Sequence, residues 1–138
     1  LLATRASQYD PRVRSRIERG ATMSASDYID LLNARQHWIV RMEAALAPYD
    51  ALLSPTVPLV APPIADVAPG AERDAEFFRV NALLLRNTSV VNMLDGCALS
   101  LPCHMAGELP VGLMVWHGAL HDDAVLNVGL QIEQILQK

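Results

Sequence analysis

The stretch VGLMVW, residues 111–116, decides how this chain must be layered. In a strand, successive side chains point to opposite faces, so Val111, Leu113 and Val115 share one face while Met114 and Trp116 share the other. Both sets are apolar. A strand that is apolar on both sides is covered on both sides, which calls for helices above and below a sheet.

Working outward, Ala98–Leu101 is a second short apolar run, and HMAGELP between the two reads as the loop that joins neighbouring strands. On the other side, HGALHDD leads into a helix over Asp122–Leu136. Acidic residues stand in its first turn, as the helix dipole favours, and Val125, Val128, Ile132, Ile135 and Leu136 form its apolar stripe. His117 and His121 stand four apart, but Gly118 argues against a continuous helix that would bring them together; His121 or Asp122 is expected to cap the last helix.

Upstream, Glu72 to about Leu94 has Phe77, Phe78, Val80, Leu83, Leu84 and Leu85 around most of its axis, the pattern of a buried helix. Before it, residues 55–70 hold five prolines, which remove ladder donors and impose an irregular loop after a strand near Ala51–Leu53. Ser24 and Asp27 resemble a capping box. The following helix carries Tyr28, Leu31, Leu32, Trp38, Ile39, Met42 and Leu46 on one stripe and stops before Pro48. Nearest the start, Asp10 and Pro11 open a short helix to Arg19, with Val13 and Ile17 on one face and Gly20 beyond its end. The order helix, helix, strand, helix, strand, strand, helix predicts an α/β fold with helices packed on a small mixed sheet.

Length and composition fit one compact unit over residues 1–138, with 51% hydrophobic and 19% charged residues. A net charge of -4 leaves no basic footprint for nucleic acid, and the cluster Arg12, Arg14, Arg16 and Arg19 reads as the solvated face of a short helix. Interruptions by Pro, Asp, Arg or Gly keep every apolar run below the roughly 20 residues of a membrane span. Two cysteines do not make a disulfide framework, so a reducing, cytoplasmic setting is expected. The opening LLATRASQYDP reads as the middle of a longer protein.

The stretch NMLDGCALSLPC, residues 92–103, mixes apolar residues with Asn92, Asp95, Ser100 and two thiols. Cys97, Cys103 and His104 lack the spacing of a zinc site, and a strand turns Cys103 and His104 to opposite faces. No serine lies in a glycine-rich nucleophile turn, and no phosphate-cradling loop occurs. Neither a metal nor another cofactor is expected.

Three stretches together resemble the C-terminal part of the amidase signature family. They are GATMSASDYIDLLNARQHWIVRMEAALAPYDALLSPTVPLVAPPI (residues 20–64), RNTSVVNMLDGCALSLPC (86–103) and ELPVGLMVWHGALHDDAVLNVGLQIEQIL (108–136). Met114 stands where that family often has glutamine, and Asp95-Gly96-Cys97 replaces its more usual Gly-Leu-Pro. The Leu94-Asp95-x-Cys97-Ala98 pattern is similar to the allophanate-hydrolase-like branch.

The resemblance implies a segment of a larger α/β/α fold and a parent that cleaves a carboxamide through a Ser, cis-Ser and Lys triad. The matching stretches do not include that triad, and the only lysine is Lys138. The segment alone is therefore expected to be inactive and to need the N-terminal catalytic part. A small amide is the implied substrate, and Arg86, Asn87, Asn92 and Asp95 are candidates for its pocket wall, against the alternative that the last two bond only to nearby backbone. Exposed apolar surface where the missing part would pack predicts self-association into a homo-oligomer. The competing readings are a non-catalytic interaction domain and a segment of a glutamyl-tRNA amidotransferase A-type subunit.

Overall fold

A computed structural model describes residues 2–136 and divides the chain into two compact units, Leu1–His37 and Trp38–Lys138. Lys138 lies outside the described residues.

The first unit holds the single turn α1 (Leu2–Arg5), helix α2 (Pro11–Glu18) and the start of α3 (Ala25–Leu46). Asp10 caps α2 as its sequence requires: Oδ1 accepts from Arg12 N (2.8 Å) and Val13 N (3.4 Å), satisfying amides that have no partner within the helix. Arg16 and Arg19 are exposed, whereas Arg12 is buried, so the arginine cluster is not wholly a solvated face.

The capping box at α3 is reciprocal. Ser24 Oγ accepts from Asp27 N (3.1 Å), and Asp27 Oδ2 accepts from Ser24 N (2.9 Å) and Ser24 Oγ (2.7 Å). These bonds, the hydroxyl's first, hold the Asp27 carboxyl below the usual carboxylate range. The apolar stripe of α3 is only partly used. Ile39 and Leu46 are buried and Trp38 and Met42 pack beside them, but Tyr28, Leu31 and Leu32 are exposed.

The second unit is built on three antiparallel strands, β1 (Leu52–Pro55), β2 (Cys97–Pro102) and β3 (Gly112–His117), in the order β1-β3-β2. Between β1 and β2 run the turn α4 (Ile64–Val67), helix α5 (Asp74–Arg86) and helix α6 (Thr88–Met93); α7 (Asp122–Leu136) follows β3. The register places Ser54 and Ser100 on either side of Met114, and Leu53 and Leu99 on either side of Val115.

That register explains the double apolar pattern of VGLMVW. Met114 and Trp116 pack with Ile39 and Leu46 of α3, Val91 of α6 and Leu94, while Val115 packs with Leu101 and with Val125 of α7. Helices thus cover both faces of the central strand, in an α/β layer arrangement. Full burial of an aliphatic side chain contributes about 1.5–3 kcal/mol, and Leu94 and Val115 are each 0% exposed.

The long helix expected over 72–94 breaks at Asn87, and its burial is one-sided: Val80 and Val91 are buried, but Phe78, Leu84 and Leu85 are exposed. The main neighbours of α5 are α4, α6 and the 3-10 turn Ala71–Arg73, all close in sequence, so much of its apolar circumference meets no packing layer among the described residues. The proline segment is irregular apart from α4. Its end is pinned by Arg73, which donates from Nε to Ala68 O (3.0 Å) and from Nη2 to Pro69 O (2.5 Å).

Candidate functional site

The residues singled out in the sequence gather at two places, one at each end of α6. At its N-terminal end, Arg86 Nε donates to Asn87 Oδ1 (3.2 Å), and Asn87 Nδ2 donates to Pro55 O (2.7 Å). The helix break is thereby fastened to the end of β1.

Beside this lies a row of hydroxyls. Thr56 N donates to Gly112 O (2.8 Å), extending the β1–β3 pairing by one residue, and Thr56 Oγ1 meets Ser100 Oγ at 2.5 Å. Ser54 Oγ, in the same row as Ser100 and Met114, is buried with no partner among the described residues. The ledge therefore presents one guanidinium, one amide and the hydroxyls of Thr56 and Ser100, with the Ser54 hydroxyl buried behind them, a set that hydrogen-bonds polar groups and contains no carboxylate.

At the other end, Asn92 and Asp95 are exposed. Leu94 N donates to Val90 O and Val91 O (3.1 Å each), Asp95 N to Asn92 O (3.3 Å) and Gly96 N to Val91 O (3.0 Å). Asp95 has φ 53°, the left-handed conformation in which helices commonly end, and Asp tolerates it better than most residues. The stretch NMLDGC is thus a helix-to-strand corner. One helix separates the Arg86–Asn87 pair from Asn92 and Asp95, so the four do not form one cluster.

The thiols are engaged by backbone rather than by each other. Cys97 Sγ, at the start of β2, donates to Gly118 O (3.4 Å), and Cys103 Sγ, just after β2 ends, donates to Val111 O (3.5 Å), while His104 Nδ1 accepts from Val111 N (3.4 Å). Among the described residues no group of three or more His, Cys, Asp or Glu side chains converges as a metal site. No described helix is long and apolar enough to cross a membrane.

The second unit has one feature that reasoning from Gly118 missed. His117 ends β3, and the chain doubles back through Leu120 (φ 62°) before α7, so the rings of His117 and His121 come to 3.9 Å between centroids at 43°. They border a recess of about 380 Å³ together with Glu43 and Tyr49. The four-residue spacing was the available signal, with a tight turn taking the place of a helix. His121 holds the N-cap position of α7, its O accepting from Val125 N (3.0 Å), although no side-chain cap bond from His121 or Asp122 occurs among the described residues.

The fold has counterparts among known proteins. The family model described as Amidase matches residues 1–126. The fold superposes on the crystal structure of an amidase with a TM-score of 0.74 and 28% identity, over 96% of this chain and 30% of that one. The A-type subunit of the glutamyl-tRNA(Gln) amidotransferase from Thermotoga maritima gives 0.57 and 28% over 82% of this chain and 24% of that one.

By sequence, the chain is 30% identical over 139 residues to the corresponding A-type subunit of the glutamyl-tRNA(Gln) amidotransferase from Salinispora tropica. It is 27% identical over 128 residues to the 2-amino-5-chloromuconic acid deaminase of Comamonas testosteroni. These matches span 97% and 92% of this chain but 27% of each relative. A family match over most of the chain, joined to superposition of nearly all of its backbone on an amidase, settles the assignment: the chain belongs to the amidase family.

Proposed function

We propose that this chain, as residues 1–138 of a single amidase signature domain, forms the C-terminal part of an enzyme that hydrolyses the C–N bond of a small, non-peptide carboxamide in a reducing, cytoplasmic setting. The family match over residues 1–126 carries the reading. Catalysis by a Ser, cis-Ser and Lys triad falls to residues outside this chain, whose single lysine is Lys138. The segment contributes a pocket wall: Arg86 and Asn87 on the ledge, and Asn92 and Asp95 at the corner. An acyl-enzyme route of this kind uses no cofactor.

The test is release of ammonia from a panel of carboxamides by the full-length protein. Turnover that is lost when the upstream lysine is replaced supports the reading, and no turnover by a protein carrying an intact triad overturns it. The segment alone is expected to be inert and, with Tyr28, Leu31 and Leu32 exposed, to self-associate. A compact monomer that binds no hydrophobic dye counts against that expectation.

A second reading is a component of a glutamyl-tRNA(Gln) amidotransferase, favoured by the names of several relatives. It requires transfer of ammonia to a charged tRNA in a complex with partner proteins. A basic tRNA-facing surface would favour this reading, and the net charge of -4 weighs against it. A non-catalytic interaction domain is distinguished by failure of both reactions.

A further inference from the structure

Arg86 brings a positive charge to the ledge, and its guanidinium forms no ion pair among the described residues, whereas Arg14, Arg73 and Arg79 are paired with Glu18, Glu72 and Glu76. Its Nε is committed to Asn87 Oδ1 at 3.2 Å. The N–H groups of both terminal nitrogens remain, and a guanidinium has no acceptor of its own to meet them. Asn87 is held in turn by its bond to Pro55 O, so the charged group is tethered to the end of β1.

The hydroxyls add to this excess of donors. Thr56 Oγ1 and Ser100 Oγ share one hydrogen bond, in which one hydroxyl spends its proton and the other keeps its own for a further acceptor. They meet over Gly112, where a Cβ would strike both, so the floor between them is backbone alone. Behind them the buried Ser54 Oγ has no bond among the described residues to give up, and a buried hydroxyl gains more than an exposed one from a new acceptor. The carboxylate nearest to Arg86 in sequence, that of Asp95, stands at the opposite end of α6 and does not neutralise the ledge.

We infer that Arg86, Thr56 and Ser100 form a carboxylate-binding subsite, with Asn87 positioning the guanidinium, and that the carboxamide cleaved by the parent enzyme carries an anionic group away from its scissile bond. A carboxylate is planar and accepts from two N–H groups side by side, as the forked end of arginine offers them, and one guanidinium balances its single charge. A hydroxyl beside the fork serves a remaining lone pair. The substrate class rests on the amide reading above, whereas the subsite itself is a matter of binding.

The experiment uses the full-length protein and pairs of amides of increasing chain length, each pair the monoamide of a dicarboxylic acid and the matching neutral diamide. At the best chain length the monoamide should be cleaved with kcat/KM about tenfold or more above the diamide, the order expected for a hydrogen-bonded charge. Arg86→Gln should remove that preference by raising KM for the monoamide with kcat nearly unchanged. Arg86→Lys, which keeps the charge and loses the fork, should fall between. A merely structural role for Arg86 would lower cleavage of both amides alike and keep the preference. A preference that survives in R86Q, or none in the parent, overturns the subsite while the amide reading stands. If no amide is turned over, calorimetry with the dicarboxylates decides. Binding that weakens about tenfold in R86Q upholds the subsite although the amide reading falls, and absent or unchanged binding overturns the subsite as well. Arg86 is exposed, so neither variant should unfold the chain.

Discussion

Thr56 and Ser100 share a hydrogen bond of 2.5 Å although 44 residues separate them and their strands do not pair with each other. The middle strand permits it because residue 112 is glycine. A Cβ there would lie 2.6 Å from Ser100 Oγ and 2.7 Å from Thr56 Oγ1, where no side-chain atom can fit without displacing both. The sequence features PT and PVG thus meet in space: one supplies the hydroxyl, and the other supplies the gap.

Gly112→Ala should therefore cost more than Thr56→Val. The first inserts a methyl between two hydroxyls in a paired strand and should destabilise by about 1–3 kcal/mol. The second deletes one neutral hydrogen bond, worth about 0.5–1.5 kcal/mol, and leaves Ser100, which is exposed, free to bond to water. Urea denaturation of the two variants measures the order, and a Thr56→Val loss equal to that of Gly112→Ala would show that the gap is not what matters.

The Ser24–Asp27 box gives a pH dependence with a fixed sign. Because Ser24 holds the Asp27 carboxyl below the ordinary carboxylate range, its contribution to the start of α3 is fully present above about pH 3.9, the usual value for Asp. That contribution is lost as pH falls through the lower value of the folded state. A carboxyl titration followed by NMR should show Asp27 returning towards the ordinary range in Ser24→Ala, and an unchanged midpoint would refute the assignment.

Leu94 is wholly enclosed between α6 and the sheet, in the cluster that holds Met114 and Trp116. Truncating it to alanine removes buried methyl groups and leaves a cavity that its rigid neighbours fill only in part. The expected loss is about 2–5 kcal/mol, read from the denaturation midpoint at unchanged slope. Leu136 in the last turn of α7 is 45% exposed, and its alanine variant should stay within about 0.5 kcal/mol of the parent.

Local chemistry was legible and long-range approach was not. Asp10-Pro11, the Ser24–Asp27 box and the helix Asp122–Leu136 are set by neighbours in sequence, and the doubly apolar VGLMVW is enough to imply cover on both faces. Periodicity, however, reports that a face is apolar without reporting whether anything covers it. Tyr28 and Leu31 read like Ile39 yet are exposed, and Phe78 reads like Val80 yet only Val80 is buried.

The site divides in the same way. The turn at Asp95 follows from its position between a helix and a strand. The fastening of Asn87 to Pro55, the Thr56–Ser100 bridge and the contact of His117 with His121 depend on which strands pair and how a turn closes. Only family resemblance points to Arg86 and Asn87 in the sequence, and the bond from Asn87 to Pro55 O beside Ser54 and Thr56 is visible only in the fold.

Asp95 offers the sharpest separation of backbone role from pocket role. Its φ of 53° is a conformation that Asn also adopts readily, so Asp95→Asn keeps the corner while removing the charge. The backbone bonds from Leu94, Asp95 and Gly96 do not involve the carboxylate and should survive the exchange. If the carboxylate faces substrate, full-length D95N should show a raised KM with kcat nearly unchanged, the pattern of a lost ground-state contact. The neighbouring glycine is the control. A Cβ at Gly96 would run into the carbonyl oxygen of His117, backbone against backbone, so Gly96→Ala should destabilise the corner whatever Asp95 binds. A D95N enzyme with the parent's KM across the amide panel would remove Asp95 from the pocket and leave it as the residue that ends α6.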